Sequence, residues 1–268
     1  MMQFRIGYEF TYTFPQPTPC LMMLNVHSSR VSDLERADGI IIRPSSAVGG
    51  YRDLYGNWCS RMNAPAGKVT ISTDVTIRDS GLPDVTFDKG DQVPVECLPD
   101  DALVYLLPSR FCESDELLDI SWNLFQHAKP GLGRVKAICD FVQNRIRFDY
   151  MKARTTRTAK EAYDERVGVC RDYAQLAIAF CRALNIPARY CTGYLSDVGT
   201  PKPYPPGDFA AYIEVYLGGQ WMTFDPRNNV PRIGRILIAR GRDAADVAMV
   251  TTFGPNSLEN FRVWTDEI

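Results

Sequence analysis

The chain has 268 residues, 45% of them hydrophobic and 23% charged, with a formal net charge of −2. That is enough apolar material for one large core or two modest ones, and two domains are expected; the near-neutral charge gives no overall pull toward nucleic acid or an anionic membrane. No apolar run approaches the ~18 residues of a spanning helix, and the opening Met1-Met2-Gln3-Phe4-Arg5-Ile6-Gly7-Tyr8-Glu9-Phe10 alternates like a strand instead of forming a secretory apolar segment, so a cytoplasmic protein without a membrane partner is expected. Eight cysteines are scattered without a Cys-x-x-Cys pair and accompany only two histidines. Free thiols are therefore expected, with no metal site and no cofactor.

Residues 1–100 read as short strands broken by turns. The segment 4–10 alternates, Pro15, Pro17 and Pro19 interrupt it, and apolar runs follow at 20–27, 38–42, 58–63 and 68–77. An antiparallel β domain is expected there. Leu98-Pro99-Asp100 and Leu107-Pro108-Ser109 bracket the boundary to a second domain over 101–268. Its first helix starts from Ser114, with Leu118, Trp122 and Phe125 on one face, and its second covers 134–147 with Val135, Ile138, Val142 and Ile146 inward. Thr158 and Glu161 form a capping box for a third.

The run from Gly168 to Leu184 carries the most functional information. Cys170, Tyr173, Ala174, Ala177, Cys181 and Leu184 recur at helical spacing while Leu176, Ile178 and Phe180 make the rest apolar, so a helix buried nearly all round is expected. Gly168 frees the backbone just before it. The Cys170 sulfur then sits at a helix N-terminus, where unpaired amides and the dipole favour a thiolate. Cys170 is the candidate nucleophile, with Val169, Arg171 and Asp172 beside it at the cleft.

Strands follow at 188–196, 208–217 and 220–225, with a stiff proline-rich loop over 199–207. Gly218-Gly219 signals a two-residue hairpin. Leu217 then faces Gln220, Tyr216 faces Trp221, Glu214 faces Thr223 and Tyr212 faces Asp225. One face carries Ala210, Tyr212, Glu214, Trp221 and Asp225; the other, with Ala211, Ile213, Val215 and Met222, is the core side. The segment 227–242 holds five arginines and no acid, read as solvated edges and ion pairs, with a carboxylate-rich ligand as the minority reading.

Gly168-Val169-Cys170-Arg171-Asp172-Tyr173-Ala174, followed by the segment from Ala183 to Tyr194, resembles the core of the bacterial transglutaminase-like superfamily, which shares the papain-type cysteine protease arrangement. The region before residue 100 is similar to the β-rich part that accompanies many such domains. The resemblance implies an α+β fold: an antiparallel β domain, then helices and an antiparallel sheet with the nucleophile opening a helix. It also implies a His and an Asp on two neighbouring strands, and acyl transfer or hydrolysis on a peptide or glutamine-like amide through a thioester on Cys170. Asp225 matches the orienting carboxylate, whereas the His position is Ala210. A methyl group cannot take the thiol proton or return one to the leaving group, steps worth roughly 10²- to 10⁴-fold. His27 is the candidate substitute base, provided the N-terminal domain covers the cleft; His127, at a helix C-terminus, reads as structural, and Tyr212 and Glu214 as cleft residues. Two further readings stay open: a degenerate module that binds a peptide or partner, and a redox-responsive thiol.

Overall fold

The alternating N-terminal run becomes β1 (Met2–Phe14) in the computed structural model, which describes residues 1–268. Phe4, Ile6, Tyr8 and Phe10 point inward while Gln3 and Arg5 face out, as the two-residue period of a strand requires. β1 lies between β6 (Gly67–Asp79) and the C-terminal β14 (Ser257–Glu267), with β3 (Ile41–Arg43) beyond β6. A second sheet has the order β13 (Val250–Thr252), β2 (Thr18–Met22), β5 (Trp58–Ala64) and β4 (Gly49–Arg52). Both are antiparallel. β13 and β14 come from the tail, so the unit expected over 1–100 is completed by the other end of the chain. A cut at residue 100 would strip an edge strand from each sheet.

The helical half contains α1 (Asp100–Leu103), α2 (Leu118–Phe125), α3 (Leu132–Arg145), α4 (Ala159–Glu165) and α5 (Cys170–Ala183), with the short parallel pair β7 (Arg147–Phe148) and β8 (Val167–Gly168) between them. Val135, Ile138, Val142 and Ile146 are buried, and the Thr158–Glu161 capping box forms. α2 is rotated from its expected orientation: Ser121 and Phe125 are buried, whereas Leu118 and Trp122 remain 45% and 40% exposed. The Ser121 hydroxyl satisfies itself on the Leu117 carbonyl at 2.6 Å, and the Arg134 guanidinium lies over Trp122, 5.9 Å from its ring centre, so this face can accept the polar residue and leave the indole outside.

α5 is the axle. From Asp172 to Ala183 every residue is buried, with α2, α3 and α4 packed on one side and β9 (Ala188–Leu195) and β10 (Ala210–Leu217) on the other. Phe180 centres an aromatic cluster with Phe125, Phe141 and Tyr163 at ring separations of 5.3, 5.8 and 6.1 Å.

The third sheet has the order β11 (Gln220–Phe224), β10, β9 and β12 (Arg235–Gly241), all antiparallel. Gly218 and Gly219 both have positive φ, 57° and 86°, which glycine alone adopts freely. The turn sets the register Leu217–Gln220, Tyr216–Trp221 and Glu214–Thr223. Ala211, Ile213, Val215 and Met222 join the core with α5, while Tyr212 packs with Cys191 and Leu237 on the reverse face. The N-terminal unit covers that reverse: His27 N–H donates to the Leu237 carbonyl at 2.9 Å, and the Asn57 side chain bonds both backbone groups of Arg240, at 2.7 and 2.9 Å. The arginine-rich segment makes the expected ion pairs, Arg232 with Asp197, Arg235 with Asp84 and Asp225, and Arg242 with Asp246, but its strand is largely buried and not solvated. It forms β12, because Ile236, Ile238 and Ala239 fill core positions beside β9.

Gln175, fully buried in the middle of α5, has no protein partner for either amide atom. Unpaired buried polar groups cost about 1–3 kcal/mol. Gln175→Met should raise the urea midpoint without changing the slope of the transition; a lower midpoint would contradict this reading of the core.

Candidate active site

The start of α5 is fixed by a buried carboxylate. Asp172, 0% exposed, accepts from Val169 N–H at 2.8 Å and from Arg157 Nη1 at 3.1 Å, while its own N–H donates to the Val169 carbonyl at 2.8 Å. A Cβ on residue 168 would stand 2.6 Å from Asp172 Oδ2, so Gly168 is required by this contact and not, as expected, by backbone freedom, since it lies in β8 without a positive φ. Arg171 donates to the carbonyls of Thr155, at 3.1 Å, and Arg154. Asp172 and Arg171, expected to line the cleft, instead hold the helix end and the 154–155 loop in place; a carboxylate in the first turn is stabilised by the helix amides. Val169 and Cys170 stay half-buried at the mouth.

The Cys170 sulfur lies at an open stretch of strand edge. Its thiol donates to the Phe209 carbonyl oxygen at 3.9 Å, and the Ala211 amide lies near enough to favour the thiolate form. Ala210, between those two groups, pairs with Gly193 of β9 on its other side, while β11 begins to pair with β10 only at Ile213. The sulfur thus occupies the place a neighbouring strand would take. The helix end does not produce an acidic thiol: burial, then the Asp208 carboxylate, pushes Cys170 up to about 11, and Ala211 N–H and Arg227 pull only partly the other way. Burial and the Asp208 charge thus work against the expected thiolate.

Asp208 is a candidate group that sequence reasoning missed. Its Oδ2 accepts from the Tyr150 hydroxyl at 3.1 Å and its Oδ1 from Phe209 N–H at 2.7 Å. Burial raises its pKa, and those two donors together with Arg227 only moderate the rise. Burial and the Asp208 charge likewise raise Tyr150. Arg227 stacks on Phe148 with its guanidinium carbon 4.0 Å from the ring centre. The available signal was positional: an acid at the end of the proline-rich loop, two residues before β10.

Asp225 lies within electrostatic reach of Cys170 but its oxygens are occupied. They accept from Arg227 N–H (3.2 Å), Asn228 N–H (3.0 Å), Asn228 Nδ2 (2.8 Å) and Arg235 Nη2 (2.9 Å). Burial alone would raise this carboxyl, yet Arg235 and Asn228 hold it below the usual range. It organises the 225–228 turn.

The remaining candidates lie elsewhere. His27 sits on the reverse of the sheet, beside Arg240, Glu214 and Arg189, and burial lowers it to about 4. Its Nδ1 accepts from Ser29 N–H at 3.2 Å, capping a 3-10 turn over Ser28–Asp33. It cannot reach Cys170, because the N-terminal unit covers the face opposite α5. Tyr212, Glu214 and Trp221 are on that same reverse face and do not line a Cys170 cleft: Glu214 is paired with Arg189 at 2.6 Å, whose guanidinium stacks 3.9 Å from the Trp221 ring centre. His127 is exposed just beyond α2. All eight cysteines are free, and no three His, Cys, Asp or Glu side chains cluster as metal ligands.

A thiol opening a helix buried against an antiparallel sheet, with carboxylates just outside the ends of the adjoining strands, is the arrangement of a transglutaminase-like core. Residues 119–226 match the family model of the transglutaminase-like superfamily. The crystal structure of a candidate cysteine protease from Cytophaga hutchinsonii superposes with a TM-score of 0.89 and 32% identity, covering 100% of this chain and 91% of that one. An uncharacterized Mycobacterium tuberculosis protein is 29% identical over 215 residues, 73% of this chain and 68% of its own length. An uncharacterized Mycobacterium leprae protein is 34% identical over 110 residues, 39% of each chain. The chain belongs to the transglutaminase-like superfamily.

Alkylation of Cys170 by iodoacetamide, followed on its tryptic peptide, should be slower at pH 7 than that of exposed Cys97 and should still be climbing about tenfold per pH unit near pH 10. A Cys170 rate that levels off by about pH 8.5, the ordinary thiol range, would contradict the burial argument.

Proposed function

We propose that the protein is a thiol acyl-transferase or amidase of the transglutaminase-like type, acting on peptide or glutamine-like amides through a thioester on Cys170, with Asp208 in the role of the absent imidazole. The observation that carries this reading is the juxtaposition at the mouth of α5: a half-buried thiol, and a carboxylate whose proton affinity burial has raised. Carboxylates so tuned serve as general bases and acids. Asp208 takes the Sγ proton as the sulfur attacks the amide carbon. The negative charge moves to the carbonyl oxygen, where the free amides of the first helical turn receive it. The tetrahedral adduct then expels the amine, which leaves with the proton from Asp208, and a thioester remains. Water or an acceptor amine resolves the thioester by the same proton path.

Ala210 sits where the family resemblance places the imidazole, so turnover is expected to be slow. A second reading, a cleft that binds peptide without chemistry, draws on the same thiol held neutral to about 11.

p-Nitrophenyl acetate separates the two. The first reading predicts acetylation of Cys170 faster than of Cys97, slowed about 10- to 100-fold in Asp208→Asn. No preference for Cys170, or a rate indifferent to that substitution, would leave only binding. The stability of Asp208→Asn supplies a separate check. A carboxyl raised by burial favours the folded state only while protonated, and that contribution is lost as pH rises through its folded value. Asp208→Asn should therefore melt higher than the native protein at pH 7, with the gap closing toward pH 4; a lower melting temperature at pH 7 would contradict the raised carboxyl.

A further inference from the structure

On the reverse of the β11-β10-β9-β12 sheet, between the strands and residues 79–87, lies a groove of about 420 Å³ that Cys170 does not line. Its walls carry Arg30, Arg232, Arg235 and Arg240 together with Tyr212 and Trp221. The acids around it are already engaged: Asp33 and Asp79 with Arg30 at 2.6 and 2.9 Å, Asp84 and Asp225 with Arg235, both at 2.9 Å, and Glu214 with Arg189 at 2.6 Å. Arg232 donates through Nη2 to the Ser196 carbonyl at 2.8 Å and to Asp197 at 3.3 Å.

After those pairings three buried guanidinium N–H groups have no protein partner: Nε of Arg232, Nη1 of Arg235 and Nε of Arg240. The Arg235 side chain is only 7% exposed. Arg240 donates no side-chain hydrogen bond at all, and its nearest carboxylate, Glu214, is 3.7 Å away and already held by Arg189. Unpartnered donors on guanidinium groups are costly; these three nitrogens are themselves enclosed, so a molecule in the groove meets the remaining N–H groups, above all the terminal nitrogens of Arg240, which make no hydrogen bond. Guanidinium groups match the oxygens of carboxylates and phosphates. Trp221, Tyr212 and Phe87 add aromatic surface, and a groove of this size takes a small organic molecule.

We propose that this groove binds a small oxyanion-bearing molecule, a carboxylate or a phosphate monoester, through Arg232, Arg235 and Arg240. The site is separate from the thiol and does not depend on the chemistry assigned to Cys170.

Calorimetric titration of the full chain with inorganic phosphate and with citrate, at constant ionic strength, tests it. Saturable binding of at least one anion is expected, weakened about tenfold or more in R240Q, whose side chain makes no hydrogen bond that the fold would miss. R232Q provides a second variant on the same wall. Preference for phosphate assigns a phosphate ester as the natural ligand, and preference for citrate a carboxylate. Absence of saturable binding of either anion up to about 50 mM, or binding equal in the native protein and both variants, overturns the proposal.

Discussion

The alternation of β10 is the constraint on which the rest of the molecule depends. Successive side chains of a strand leave opposite faces, and burial of Ala211, Ile213, Val215 and Leu217 against α5 commits the even positions Tyr212 and Glu214 to the reverse. Two surfaces result. On the α5 side the Cys170 sulfur meets the edge of β10 through Phe209 and Ala211. On the reverse, the N-terminal unit closes over a layer of arginines and aromatic rings. Slipping the Gly218-Gly219 hairpin by one residue would exchange the two sets and abolish both sites.

Within the thiol site, the outcome is decided by competing magnitudes. A helix N-terminus favours an anion by about 0.3–1 kcal/mol in exposed settings. Holding a thiol neutral to about 11, against an ordinary 9.0, corresponds to roughly 3 kcal/mol in the opposite direction. Desolvation and the Asp208 charge therefore prevail. On the proposed reading, the thiol must be deprotonated during attack instead of waiting as a thiolate, which places the burden on whichever base stands beside it. Asp225 does not fill that role, since Arg235 and Asn228 occupy its oxygens. Asp208, with oxygens bonded only by Tyr150 and Phe209, is better placed.

Much of this was legible in the chain itself. The all-apolar periodicity of 170–184 gave α5, the Thr158–Glu161 pair gave the start of α4, and two glycines gave the hairpin with its register. These are local signals, each written within a few residues. Parity also told that Tyr212, Glu214 and Trp221 share a face, but not that the face lies away from Cys170, because that depends on where α5 docks. Long-range facts were hidden: the return of β13 and β14 to the N-terminal sheets, the role of Arg157 in neutralising Asp172, and the burial of Arg235 between Asp84 and Asp225. His27 failed as a base for the same reason, since nothing near it in sequence shows which face its domain covers. Asp208 was overlooked because a lone acid after a proline-rich loop reads as solvated until the neighbouring Tyr150 and Cys170 enclose it.

The claim at the centre of the account is that Asp208 holds a proton more tightly than a solvent-exposed aspartate. A carbon-13 NMR titration of its side-chain carboxyl in the intact protein measures this directly. A midpoint above the ordinary 3.8 is the predicted result. A midpoint at or below that value would show a carboxylate already satisfied, and would remove it as the partner of the Cys170 thiol.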